Sequence, residues 1–325
     1  MTQLFTLIEA SVVFGTVILY GAIGEILSEK SGSLNLGVPG IMYLGGIAGL
    51  AGSFWYESVS AAPKALVGLL VALLCALAAS TLGGLIYSFL TITLRANQNV
   101  TGLTLTIFGS GVANLFGGAI NKMAGGVGQI SVATTSRAFR ATLPFLSDVG
   151  VFSGLGFMVY LAILLAIGMR YFLNRTRGGL NLRAVGENPA TADAAGIPVT
   201  RYKYLATCIG AAITGLGGLY YAMDYIMGTW ACDGGIEKLG WLAVALVIFA
   251  RWKPVHAIWG SYLFGVLFWL YLYIPGITLG RSSQEIFKML PYVVTIIVLV
   301  VVSIRKNREN EPPANLGLPY FREER

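Results

Sequence analysis

The feature that most constrains this chain is the recurrence of long apolar stretches with almost no charge inside them. A bilayer core needs about 20 mainly apolar residues per helix. Nine stretches meet or approach that length: 8–27, 38–56, 64–92, 99–120, 154–173, 202–223, 237–250, 255–274 and 288–304. Only 11% of the 325 residues are charged, against about a quarter in soluble domains. The expectation is an all-α fold, a polytopic transmembrane helical bundle of about nine spans. It forms a single domain over 1–304, followed by a frayed charged tail over 305–325. The stretch 64–92 is long enough to tilt or to continue as an interfacial turn, and 237–250 is short enough to be broken or re-entrant.

The net charge of +7 lies between these stretches, which points to a membrane surface and not to nucleic acid. With the tail placed in the cytoplasm, Lys30, Arg95, Arg170, Arg175, Arg177, Arg183, Arg201, Lys203, Arg251, Lys253 and the tail form the inner set. Lys64, Lys122, Arg137, Arg140, Lys238, Arg281 and Lys288 form the outer set. Fifteen basic residues against seven favours an external N-terminus. Residues 121–153 then lie outside, and 174–201 form the longest cytoplasmic insertion. The glycine-interrupted runs SGSLNLGVPG and CDGGIEKLG occupy corresponding places in two halves, a hint of inverted repeats. Glycines within spans, such as Gly45, Gly49, Gly210 and Gly215, let helices approach closely in lipid.

Catalytic chemistry has little to work with. His256 is the only histidine, Cys75, Cys208 and Cys232 are widely separated, and no phosphate-cradling GxxxxGK[ST] loop is present. No metal site, cofactor or catalytic residue is expected. Glu25 and Glu29 sit near a helix end and are read as snorkelling to the interface; Asp224 is read the same way. Tyr220, Tyr221, Tyr225, Trp230 and Trp241 are read as an interfacial aromatic belt. Arg95-Ala96-Asn97-Gln98-Asn99-Val100-Thr101 interrupts two spans. It serves equally well as a capped turn or as part of a water-filled path.

The sharpest local signal is Glu187-Asn188-Pro189 through Gly196. Asparagine is a preferred N-cap, proline suits the first helical position, and glycine ends helices in a left-handed conformation. A helix of about two turns is expected here, bounded at both ends as a docking element would need to be.

RAVGENPATADAAGI resembles the coupling segment of bacterial ABC importer permeases in the branched-chain amino acid, ribose and nucleoside group. GEILSEKSGSLNLGVPGIMYLGG is similar to the opening signature of that group's nucleoside (basic membrane lipoprotein-associated) branch. LRANQNVTGL is similar to the shorter of that branch's two permeases, and GGIEKLGWLAVALVIFARWKPVHAIWGSYLFG matches its late pattern. The similarity runs from about residue 15 to 304. In one place the chain departs from it: Pro39 stands where the branch has an acid.

The resemblance implies the permease subunit of an importer in the plasma membrane, with the ATPase activity in a partner. The implied partners are an ATP-binding subunit, a second related permease forming a heterodimer, an external substrate-binding lipoprotein, and a small solute, a nucleoside. Membrane lipid surrounds the bundle. Arg183, Gly186, Glu187, Asn188, Pro189, Ala194 and Gly196 are the expected coupling residues. Asn35, Asn97, Gln98, Asn99 and Thr101 are the expected residues of the translocation path. Alternatives are a permease for ribose, another sugar or branched-chain amino acids, an ion-coupled carrier, or a membrane enzyme.

Overall fold

The computed structural model describes residues 2–126, 130–142, 154–230, 234–273, 281–305 and 311–321. Cys232, Asp148, Lys306, Arg308, Arg322 and Arg325 lie outside the described residues. Among those described, each expected apolar stretch falls on one helix: α1 (Thr2–Lys30), α2 (Val38–Val59), α3 (Ala65–Ser88), α4 (Gln98–Met123), α6 (Phe157–Arg175), α9 (Val199–Tyr220), α10 (Gly235–Phe249), α11 (Pro254–Trp269) and α13 (Leu290–Arg305). Four more helices connect them: α5 (Ala133–Phe139), α7 (Arg177–Glu187), α8 (Pro189–Ala194) and α12 (Arg281–Lys288).

Seven helices of the described residues are long and apolar enough to cross a membrane, which corrects the expectation of about nine full spans. The physical reason is length. The 15 residues of α10 and the 16 of α13 reach only about 23 Å at 1.5 Å per residue, short of a core about 30 Å thick. The long third stretch is a single span, because α3 continues through a π-helical turn at Phe89–Thr93. A second π-helical turn, Tyr221–Tyr225, extends α9.

The helices pack as two halves with a repeated pairing. α1 runs antiparallel to α11, with Gly265 on Ser11 and Gly15 on Ser261; α9 runs antiparallel to α3, with Gly215 on Ser80 and Gly84 on Ala211. Likewise α1 packs on α10 as α9 packs on α2, and α2 packs on α4 as α10 packs on α13. Because α1 and α9 are themselves antiparallel, with Gly24 on Gly210 and Gly217 on Tyr20, the two halves have opposite direction, as inverted repeats require. Most crossings place a glycine against a neighbour's backbone, so dispersion contacts between main chains take the place of a hydrophobic drive that lipid cannot supply. Among the contacts between the halves, Pro39 of α2 rests on Gly240 of α10.

Two ends of the bundle differ in charge. Lys30, Arg95, Arg183 and Lys253 gather at one end with α7 and α8, here termed the basic end. The opposite end carries α5, held by Val132 N donating to Gly228 O (3.1 Å) and by the Ser136 hydroxyl donating to Met223 O (2.8 Å).

Candidate functional site

Two features of the basic end carry functional information: a helical hairpin, and a break in the first half of the bundle.

The hairpin begins where Thr176 caps α7 by accepting from Gly179 N (3.1 Å). α7 is amphipathic, and its buried face (Gly179, Leu182, Val185, Gly186) lies toward the bundle. A Cβ on Gly186 would run into the carbonyl of Lys30, so glycine there sets how closely α7 approaches the end of α1. Asn188 then caps α8, its Oδ1 accepting from Thr191 N at 3.0 Å, with Pro189 in the first turn. At the other end Gly196 N donates to Asp193 O (2.9 Å) and Ile197 N to Ala192 O (3.0 Å), with Gly196 at φ +82°. This is a Schellman closure, which satisfies carbonyls the helix end would otherwise orphan. Nothing surrounds Gly196, so its requirement is conformational and not spatial. Ala190, Thr191 and Ala194 form an exposed outer face, while Pro189 and Ala192 turn inward.

The tail completes the hairpin. Residues 311–321 are not frayed, contrary to the expectation from their charge. Asn315 N donates to Gly186 O (3.1 Å), Gly317 N to Gly32 O (3.2 Å) and Ala314 N to Glu187 Oε2 (3.3 Å). The Tyr320 hydroxyl donates to Asp193 Oδ2 at 2.9 Å, and Arg95 sits 4.2 Å from the Phe321 ring centroid. This strap ties α7, α8, the end of α1 and the entry to α4 into one unit.

The break is residues 31–37, between α1 and α2. Irregular backbone near a membrane is tolerated only where its polar groups are paired, and here side chains from three helices pair them. Leu34 N donates to Gln98 Oε1 (2.7 Å), and Leu34 O accepts from the Tyr87 hydroxyl (2.5 Å). Asn35 N donates to Glu25 Oε1 (3.0 Å), and Leu36 O accepts from the Thr106 hydroxyl (3.1 Å). Asn35 Oδ1 accepts from Gly37 N (2.9 Å). Glu25 and Glu29 are therefore buried, at 1% and 4% exposure, and do not snorkel. The reason is that each has a fixed partner: Asn35 for Glu25, the Trp252 indole N–H for Glu29.

The opposite half behaves differently. Tyr220, Tyr221 and Trp230 are buried, which corrects the reading of an interfacial belt, since belt residues face lipid headgroups. Asp224 is also buried rather than reaching out to water. Its Oδ2, together with Asn121 Oδ1, Trp230 Nε1 and Trp269 Nε1, has no hydrogen-bond partner among the described residues. Of these four residues Trp269 lines a cavity of about 520 Å³, whose wall also includes Phe14, Tyr221, Tyr225, Phe268, Lys238 and Glu285. Phe14 and Phe268 stack at 4.3 Å between centroids, Tyr221 and Tyr225 at 5.1 Å. The size falls within the usual range for small-molecule pockets.

A family model described as branched-chain amino acid transport system / permease component matches residues 7–299. The chain belongs to this permease family. It is a multi-pass plasma-membrane permease component of an ABC transporter. Three relatives align along most of their lengths. A putative glucose ABC transporter permease protein of Haloferax volcanii is 32% identical, covering 92% of each chain. The guanosine ABC transporter permease protein NupQ of Bacillus subtilis is 30% identical over 98% of this chain and 97% of its own. The nucleoside ABC transporter permease protein NupC of Lactococcus lactis subsp. cremoris is 32% identical over 89% of each. No solved structure matches.

Within this permease the expected residues fall into two groups. Arg183, Gly186, Glu187, Asn188, Pro189, Ala194 and Gly196 come together on the hairpin; Arg183 donates to Asn174 Oδ1 at 3.3 Å. Asn35 and Gln98 meet at the break. Asn97 caps α4 through Val100 N (3.1 Å), the Thr101 hydroxyl donates to Asn97 O (2.8 Å), and Asn99 is exposed. Glu25, Tyr87 and Thr106 hold the break as well. Sequence reading did not single out the last two, because a polar residue within an apolar run carries no mark of its partner.

Proposed function

We propose that this permease is one of two unlike membrane subunits of an importer for nucleosides, and that its basic end faces the cytoplasm. There α7 and α8 dock on a separate ATP-hydrolysing subunit, while an external lipoprotein delivers solute to the opposite end. The observation that carries the proposal is the hairpin. α8 is closed at both ends and presents an exposed, small-residue face, and the strap binds it to the break at residues 31–37. ATP-driven movement of α8 then becomes movement of the α1–α2 junction. Glu187, Asn188, Pro189 and Gly196 give the docking helix its shape, Arg183 and Gly186 seat α7, and Ala194 lies on the contact face.

The solute path, in this reading, runs from the buried polar atoms of the opposite half, which have no partner among the described residues, toward the break. Asn35, Asn97, Gln98, Asn99 and Thr101 form its gate at the basic end. A nucleoside suits the aromatic cavity, whose rings can stack on a base, and two of the relatives are named for nucleoside or guanosine transport. The relative named for glucose favours a second reading, because aromatic faces also accept the apolar face of a sugar. Uptake of labelled guanosine by cells with and without this chain decides between them. The proposal expects uptake that needs the chain and resists excess glucose. Glucose uptake that needs the chain, with no nucleoside uptake, would overturn the substrate. Transport by the chain alone without ATP would overturn the division of labour.

A further inference from the structure

A groove of about 710 Å³ is recessed between α6 and α9, and its lining includes no residue of the break or of the aromatic cavity. Leu164 and Gly168 belong to one wall, Leu205 and Ile209 to the other. Leu27 of α1, itself buried, forms the floor, since α1 packs on both α6 and α9. At the basic end the groove is bounded by the hairpin. Gly178 and Leu182 of α7 line it there. The Asn181 amide donates to the Tyr202 hydroxyl (2.9 Å), tying α7 to the start of α9. Leu164, Leu205 and Ile209 are exposed and lie inside membrane spans. The medium the groove opens to is therefore hydrocarbon and not water.

The depth of the groove matches one leaflet. The spans of α6 and α9 reach the basic end at Arg175 and Val199. Leu164 and Ile209 lie about three turns deeper, so the lining runs about 15 Å into the membrane at 1.5 Å per residue. That is about half of a hydrocarbon core about 30 Å thick, the reach of a single acyl chain. The exposed Arg201 lines the outer end, where a long cationic side chain can extend to headgroup level. A helix of a partner subunit would cross both leaflets and would need a groove along the whole span.

Gly168 points to the same occupant. It lies inside α6, where glycine is a poorer helix former than alanine. Gly210 and Gly215 are required by their neighbours, Gly24 and Ser80. A Cβ on Gly168, in contrast, would meet no described protein atom within 4 Å. What the missing side chain leaves is open space in the wall of the groove.

We propose that this groove binds the acyl chain of a phospholipid from the leaflet at the basic end, so that a lipid molecule helps to seat the hairpin. The chain would lie against α1, α6 and α9 and touch α7 at Gly178 and Leu182. This goes beyond the importer reading and does not depend on which solute is carried.

The test uses the assembled transporter in detergent, titrated with a phosphatidylglycerol that carries a photoreactive diazirine midway along one chain. Labelled residues are mapped by peptide mass spectrometry. The exposed apolar face of α3, at Leu70 and Leu74, reports non-specific lipid. Labelling at Leu164, Gly168 and Ile209 is expected to saturate while labelling of α3 keeps rising with the probe. Gly168→Phe, which fills the open space, is expected to lower groove labelling about tenfold, as excluding a few methylenes would, with α3 unchanged. Unchanged groove labelling in Gly168→Phe, or parallel unsaturated labelling of groove and α3, would overturn the site. Labelling of α3 with none in the groove would show that protein covers it and would overturn the lipid. Should Gly168→Phe misfold, competition on the unaltered protein decides. Dipalmitoyl phosphatidylglycerol is expected to displace the probe from the groove and dihexanoyl phosphatidylglycerol to leave it in place. Equal displacement by the two would overturn the role of the chain.

Discussion

The two ends of α9 are built on opposite rules. At its basic end almost every polar group near α8 and the break is paired, often by a side chain placed for that purpose. Gln98 and Tyr87 serve the backbone of Leu34, Glu25 serves that of Asn35, and the strap serves Gly186 and Gly32. At the other end Asn121, Asp224 and Trp230 are buried with atoms that have no hydrogen-bond partner among the described residues. A buried polar atom without a partner costs about 1–3 kcal/mol, so such atoms are rare unless something visits them. The saturated end behaves as a lever, because a paired network moves as one piece. The unsaturated end is prepared for water or solute.

That contrast can be broken in four places. Removing residues 311–325 deletes two backbone–backbone hydrogen bonds, the bond from Ala314 N to the Glu187 carboxylate and the Tyr320 bond at the saturated end. At about 0.5–1.5 kcal/mol each, the hairpin should lose roughly 3 kcal/mol of local stability, read as about a hundredfold faster amide exchange across α7 and α8. Unchanged exchange would mean the strap is ornamental to the hairpin.

The Glu187→Lys, Gly196→Val double variant strikes the same unit from the other side. A β-branched residue in the left-handed region costs about 1–2 kcal/mol, and the lysine removes the acceptor for Ala314 N. Membrane insertion should be normal while ATPase co-purification falls about thirtyfold. Full docking with full uptake would leave the coupling role unsupported.

At the unsaturated end the sign should reverse. Asn121→Leu removes a buried acceptor that has no partner among the described residues, so the detergent-solubilised protein should gain about 1 kcal/mol and melt a few degrees higher. Solute uptake should nevertheless fall. A lower melting temperature would show that Asn121 is structurally satisfied after all. Smallest of the four is Asn188→Ala, which should cost the α8 cap about 1 kcal/mol and be visible as exchange confined to α8. Spread of that change into α9 would contradict the local closure seen at Gly196.

What the sequence made legible follows the same division. The closure of α8 was readable because caps and stops are local chemistry: Asn188, Pro189 and Gly196 act within a few residues of themselves. The apolar stretches were readable as helices because lipid permits little else. Span number was not, since α10 and α13 fall short of a full crossing by only a few residues each. The inward direction of Glu25 and Glu29 depends on Asn35 and on Trp252, 223 residues away, and no local pattern reports a partner at that distance. The strap was hidden by its charged neighbours, although Leu316, Tyr320 and Phe321 are apolar or aromatic residues a solvated tail has no need of. α7 was missed because Thr176 and the pair Gly178-Gly179 read as loop, while its buried face is defined only against the end of α1.

The central claim is that hairpin, strap and break move together. Spin labels at Ala194→Cys and Leu318→Cys, both exposed, report the distance within the unit. A label at Ser58→Cys, exposed at the other end of α2, supplies the external reference. Pulsed electron–electron resonance on the assembled transporter, with and without ATP, gives both distances in the same sample set. The account predicts that the 194–318 distance stays constant within experimental width while the 194–58 distance shifts by several ångströms, roughly the scale of switching transitions. A 194–318 distance that changes as much as 194–58 would show that α8 moves free of the strap and contradict the lever.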